Sequence, residues 1–300
     1  MRLITSIVLT ASLFFLFSCN PKVEIPAYIY VEKIDFTATD FEKEGTSSYK
    51  IASIEVTVNG KNIGTYALPA LLPVIASGNT DISIAAGIKL NGLALQRPVY
   101  PLYTTHKETI NLTKGKIDTI SPLFHYDKSI TFDIIEDFES AGLKFSPVEG
   151  SATLNKTQDN SLLFHYPNEK NEFSGIIQLP YEDTVYHFEI KTTAPIYLTA
   201  NSVKVACFVE LNYCFSENVE IGIYAHSSSS SSLISRQYSI CYIMGTSNLE
   251  WGKIYVNLTD IINSATVDMT MTHFDIYMKC GVSKNKTGRF LFDNIKVIHQ

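Results

Sequence analysis

Clusters of positive charge are missing from this sequence. Its 24 Lys and Arg are outnumbered by 30 Asp and Glu, giving a formal net charge of −6. No window gathers the basic residues that a phosphate-backbone binder needs, which argues against nucleic acid as a partner. Long amphipathic helical windows are nearly absent as well, so a helical bundle is not expected. Tryptophan occurs once. Beyond residue 18 no apolar run approaches the roughly 20 residues of a membrane-spanning helix.

The motifs of familiar chemistry are also absent. There is no H-E-x-x-H, no G-x-S-x-G, no phosphate-binding G-x-x-x-x-G-K-[ST] and no G-x-G-x-x-G opening a helix. The seven histidines (His106, His125, His165, His187, His226, His273 and His299) stand one by one. Carboxylates do gather at Glu136, Asp137 and Glu139, and again at Glu182-Asp183. Glycoside hydrolysis would need two such groups about 5 Å or about 6.5–9.5 Å apart in a cleft, and nothing else in the sequence suggests one. A non-enzyme is expected.

What is present begins at the N-terminus. Arg2 is followed by an apolar stretch from Ile4 to Phe17, too short to span a bilayer and of the size of a secretory signal. It ends in Leu16-Phe17-Ser18-Cys19, which resembles a bacterial lipobox with a bulkier Phe17 than usual. The resemblance implies cleavage between Ser18 and Cys19 and lipid on the Cys19 thiol, a durable anchor once several acyl chains are attached. Residues 1–18 are thus expected to be a lipoprotein signal peptide and 19–26 a tether.

Four further cysteines, Cys207, Cys214, Cys241 and Cys280, all fall in the C-terminal half. In an exported protein an even set favours two disulfides, with buried free thiols as the alternative. Spacings of 7, 27 and 39 residues offer no zinc knuckle.

Phe and Tyr, 17 of each, suit strands. Short alternating runs recur between Gly, Asn, Asp and Ser, the pattern of a sandwich. The expected fold class is all-β: two tandem β-sandwich domains at 27–125 and 130–300. In the first, SIEVTV leads into Asn59-Gly60, a hairpin signal because a type I′ turn needs positive φ at both central residues. In the second, strands are expected at Tyr186–Thr192, Val205–Tyr213, Val219–Ala225, Gln237–Met244, Lys253–Leu258, Phe274–Lys279 and Phe290–Ile298. One helical turn is expected within Leu258–Asn263. The six serines from Ser227 read as an exposed loop.

The stretch from IPAYIYVEKIDF through AGIKLNGLALQRPVYPLY resembles lipoproteins of the Bacteroidota in which an N-terminal sandwich precedes a jelly-roll-like domain. The opening IIEDFES and closing GRFLFDNIKVIHQ of the second block resemble jelly rolls of the galactose-binding or carbohydrate-binding kind. These resemblances imply the architecture and an outer-membrane locale, on the periplasmic or surface face, and no particular activity. Related jelly rolls often hold a structural calcium where first and last strands meet. Asp137, Glu139 and Asp293 match that placing with the oxygen ligands calcium prefers; the alternative is that Asp293-Asn294 supports a bulge.

Tyr238, Tyr242, Tyr255 and Tyr277 could serve a glycan site, although strand propensity alone explains their presence, and Trp251 is expected in the core. Asp118-Thr119-Ile120 and Asp183-Thr184-Val185 resemble bacterial O-glycosylation sites. Two roles follow. The leading expectation is a lipid-anchored interaction or scaffold subunit of an outer-membrane protein complex. The alternative is a surface glycan-binding protein using its jelly roll.

Overall fold

The computed structural model describes residues 24–181, 186–198, 205–227, 235–245, 248–269, 271–283 and 286–300. Ser18 and Cys19, Glu182 to Val185 and most of the serine run lie outside them. Among the described residues the chain is almost entirely β.

The N-terminal unit comprises β1 (Ala27–Val31), β2 (Asp35–Phe36), the short helix α1 (Phe41–Glu44), β3 (Ile51–Val58), β4 (Lys61–Ala67), β5 (Ala70–Val74), β6 (Gly78–Ile88), β7 (His106–Leu112), β8 (Ile117–Thr119) and β9 (Leu123–Phe124). Asn59 and Gly60 take φ of 48° and 78° and close the β3–β4 hairpin with Val58 opposite Lys61, as the turn chemistry requires. A sheet ordered β4-β3-β6-β7 faces a smaller one ordered β5-β1-β8. Period-two alternation sends Ile29, Ile54, Val56, Leu72 and Ile84 inward, all fully buried.

The C-terminal unit adds β10 (Thr131–Glu136), β11 (Phe145–Pro147), β12 (Asn155–Thr157), β13 (Ser174–Leu179), β14 (His187–Thr192), β15 (Ile196–Tyr197), β16 (Cys207–Phe215), β17 (Val219–His226), β18 (Ser235–Ile243), β19 (Gly252–Asn257), α2 (Thr259–Met269), β20 (His273–Gly281) and β21 (Gly288–His299). One sheet runs β12-β13-β21-β16-β19 and the other β11-β14-β20-β17-β18. Between them lies a core in which Phe188 meets Phe290 at 4.8 Å and Phe215 meets Phe292 at 4.9 Å between ring centroids. The helix exceeds the single expected turn. The Asn257 side chain accepts from the Thr259 amide at its start, and Ile262 and Ala265 bury against the sandwich.

The two units share a seam. The outward side of β16, β19 and β21 is covered by the N-terminal unit, so Phe208, Tyr255 and Ile298 belong to the N-terminal hydrophobic cluster. Charges are sealed there too: Glu210 and Lys296 are fully buried and Lys253 nearly so. Glu210 accepts from the hydroxyls of Tyr100 (2.8 Å) and Tyr126 (2.9 Å) and pairs with Lys253 at 3.0 Å. Lys296 donates to the Thr46 carbonyl and lies 4.9 Å from the Tyr126 ring centroid.

Two expectations are corrected. The four described cysteines are free thiols. Cys207 and Cys214 sit at opposite ends of one strand, about 23 Å apart at strand rise. Cys241 and Cys280 sit on β18 and β20, with β17 between them. Trp251 leaves the core: it is half-buried in a satellite cluster with Ile176, Cys214 and Leu291.

Candidate functional site

With β16, β19 and β21 of one C-terminal sheet covered on their outward side at the seam, the outward side of the other sheet is a broad face left open. Strand register sets its rows. Glu220 on β17 stands opposite Lys279 on β20 and Tyr242 on β18, and Lys279 is in turn opposite Glu189 on β14. One row along, Gly222 stands opposite Tyr277. The next pairs Tyr224 with Asp275, and the last brings His226 to His273 and Tyr197.

Gly222 shapes this face. A Cβ there would sit 2.5 Å from the Tyr277 hydroxyl. Its absence lets the Tyr277 ring lie across β17 and donate to Glu220 at 2.6 Å. Tyr224 packs against Tyr277 at 4.9 Å and donates to Glu189. Tyr242, more than half exposed, donates to Glu220 at 3.1 Å. Partial burial works to raise the Glu220 carboxyl, but the Tyr277 hydroxyl and the Lys279 ammonium outweigh it and hold the group below the usual carboxylate range. Burial and the bonded carboxylates push the Tyr224 and Tyr277 hydroxyls up, so both stay protonated donors. A groove of about 370 Å³ opens beside them, lined by His187, Glu189, Asn218, Glu220, Tyr242 and Lys279.

Farther along, His226 and His273 stack at 4.9 Å and Tyr197 stacks on His273 at 5.6 Å. Asp275 meets His226 at 3.2 Å and Lys191 at 3.4 Å. The face therefore alternates aromatic surface with fixed donors and acceptors.

Of the four tyrosines weighed for a glycan site, Tyr242 lies exposed on this face, and Tyr277 stands in its rows with its side chain fully buried. Tyr238 packs against the core, and Tyr255 is buried in the seam, where its hydroxyl accepts from the Lys50 amide at 2.9 Å. Tyr224, Glu189, Glu220 and Lys279 were not singled out. Their signal is the period-two alternation of Glu220, Gly222 and Tyr224 and of Asp275, Tyr277 and Lys279 along two strands that the sequence does reveal.

The expected calcium ligands are not assembled into a metal centre. Glu139 accepts from the amides of Glu172 (2.8 Å) and Phe173 (2.9 Å), and Asp137 accepts from the Glu139 amide. Asp293, fully buried, accepts from Ser174, from Asn171 at 2.9 Å and from the Asn294 amide at 2.8 Å. Burial pushes its carboxyl up to about 7. Among the described residues no three His, Cys, Asp or Glu are arranged to hold a metal ion. Asp293-Asn294 instead forms a bulge, with Asn294 at φ 48° where the β16–β21 register shifts. Asp137 and Glu139 do line a second cleft, about 360 Å³, with Phe164, Tyr166 and Glu169. Glu136, buried, clamps the neighbouring turn by accepting from the Phe138 and Lys144 amides.

No protein-family model matches this chain. No curated protein matches it either. Solved structures do resemble it. One, described as concerning the promiscuous specificity of carbohydrate-binding modules from the β-sandwich superfamily, aligns over 83% of this chain and 85% of its own at 13% identity, with a TM-score of 0.34. A family 29 carbohydrate-binding module from Piromyces equi aligns over 57% of this chain and 91% of its own at 10% identity, TM-score 0.35. A family 11 carbohydrate-binding module of a cellulosomal cellulase from Clostridium thermocellum aligns over 57% and 95% at 15% identity, TM-score 0.34. At such scores the fold class rests on this chain's own sheets, which are those of an all-β sandwich protein.

Proposed function

We propose that this chain is a non-enzymatic glycan-binding protein, held to the outer membrane by lipid on Cys19, with the sugar lying on the open face of β14, β20, β17 and β18. One observation carries the reading: exposed Tyr242, held by Glu220, borders an open groove that Glu189, Glu220 and Lys279 also line, while the N-terminal unit covers β16, β19 and β21 of the opposite sheet. Pyranose C–H faces pack on aromatic rings. Sugar hydroxyls donate to carboxylates and accept from ammonium groups, which Glu220, Glu189 and Lys279 supply. Ligand sites of this type are concave, with a few fixed polar groups among aromatic surface.

Glu220 does not suit the proton-donating role of a glycosidase. A glycosidase acid must be raised so that it carries a proton near neutrality. Glu220 is lowered. The groove on this face is built of polar and aromatic side chains suited to a small polar ligand, so the glycan reading takes precedence over the assembly-subunit role.

The test is a polysaccharide array followed by titration calorimetry on the best ligand. Tyr242→Ala and Glu220→Gln should each weaken binding about tenfold or more, about 1.4 kcal/mol each. Full affinity in both variants, or no binding to any polysaccharide, would overturn the proposal.

A further inference from the structure

The N-terminal unit ends in a pole directed away from the C-terminal sandwich. β6 runs from Gly78, beside Leu112, to Ile88, close to the seam where the Asn91 amide bonds the Tyr255 carbonyl at 2.9 Å. At strand rise, 11 residues separate pole from seam by roughly 30 Å. β1 starts at the pole: Ala27 is opposite Val74, and the Gly115 amide bonds the Pro26 carbonyl at 2.8 Å.

This pole is apolar in an unusual way. Ile25 is 59% exposed, Ile75 72% and Ile117 60%, on three neighbouring segments. Leu71, 52% exposed, continues the same outward face of β5, and half-buried Tyr28 and Tyr30 stand between β5 and β8. Exposed Lys114 and Lys116 flank it in the β7–β8 turn. Apolar side chains with interfacial tyrosines and basic residues at the rim are the composition of a surface that rests on lipid headgroups.

The chain itself says what covers it. Cys19 precedes Ile25 by only six residues, a reach of about 20 Å at most when fully extended. A lipid on Cys19 therefore keeps this pole within that distance of the bilayer, at an effective concentration where a modest apolar face suffices to dock.

We propose that this pole, with Ile25, Ile75 and Ile117 at its tip, docks on the phospholipid surface, fixing the protein upright with its seam and C-terminal sandwich projecting away. The inference rests on the lipid anchor of the reading above and is independent of the glycan. Upright docking presents the open sheet to ligands, whereas a free tether would let it tumble onto the membrane.

The full-length lipidated protein, in vesicles of phosphatidylethanolamine and phosphatidylglycerol, carries a fluorophore on Ile75→Cys or, as a control, on Gln237→Cys in exposed β18. Brominated acyl chains should quench the Ile75→Cys probe at least twofold more than the control. Adding Ile25→Glu and Ile117→Glu should erase the difference while the protein stays on the vesicles. Equal quenching at both sites, with intact mass showing lipid on Cys19, would overturn docking alone. Absence of that lipid by mass would overturn docking and anchor together. A glycan found on Thr119, whose side chain belongs to the same exposed face, would also overturn it.

Discussion

The Tyr100 hydroxyl donates to the Glu210 carboxylate across 2.8 Å, joining the two units where both residues are sealed from solvent. Around this bond, burial alone would raise the Glu210 carboxyl, but the ammonium groups of Lys253 and Lys296 and the tyrosine hydroxyl hold it low. A charge on one unit is thus satisfied by side chains from the other. The units are coupled by polar as well as apolar contacts, and separating them would expose or strand these charges.

Glu210→Ala should accordingly be costly. It leaves Lys253 and Lys296 buried without their counter-charge and removes the acceptor for Tyr100 and Tyr126. A loss of about 3–5 kcal/mol is expected for breaking one side of such a buried pair. Urea denaturation at pH 7 reads it directly, and a loss well under 1 kcal/mol would contradict the sealed seam.

Lys296 predicts a pH dependence of definite sign. Burial, then the neighbouring Lys253, lowers its ammonium to about 7, while an unfolded lysine keeps its proton to about 10.4. Above pH 7 the unfolded state therefore binds more protons than the folded one, and stability rises with pH. The clean window is pH 7 to about 8.5, below the unfolded titration of cysteine. Wild-type stability should climb across it, and Lys296→Met should flatten the climb. An unchanged slope in the variant would assign the effect elsewhere.

Much of the strand framework was readable because period-two alternation survives in a half-buried sheet. Expected Val219–Ala225 corresponds to Val219–His226, and expected Phe274–Lys279 to His273–Gly281. The Asn59-Gly60 hairpin was legible from backbone sterics alone. What was not legible depends on docking. Glu210, Lys253 and Lys296 sit where alternation assigns solvent, and only the arrival of Tyr100 and Tyr126, more than 80 residues away, makes that side an interior. The even cysteine count suggested pairing, but strand order keeps Cys207 from Cys214 and Cys241 from Cys280, and all four are free thiols. The open face was half legible: alternation groups Glu220 with Tyr224 and Tyr277 with Lys279, while the register that interlocks them is a long-range property.

The thiols give a chemical test of that strand order. Burial pushes Cys207 and Cys214 up and raises Cys241 and Cys280 to about 11 each. Thiolate is the reactive form, so the folded protein should react slowly with a disulfide reagent at pH 8. Unfolding without reductant should release all four. A release of two or none would mean that disulfides form after all.

The same geometry makes Gly222 the most informative small substitution on the open face. A Cβ there would meet the Tyr238 carbonyl oxygen at 2.2 Å and the Tyr277 hydroxyl at 2.5 Å. The carbonyl belongs to the neighbouring strand, at a register shift between Ile221 and Gly222, and cannot swing aside as a side-chain end would. Gly222→Ala should therefore push β18 outward and break the Tyr277–Glu220 bond, at about 1–3 kcal/mol, as for overpacking elsewhere. Gly142→Ala, whose Cβ meets nothing within 4 Å, should stay within about 0.5 kcal/mol. If both variants fold and only Gly222→Ala loses glycan binding, the buried Tyr277 ring holds Glu220 in place for the ligand. If Gly222→Ala keeps both stability and binding, the close approach of β17 and β18 around Tyr277 is wrong.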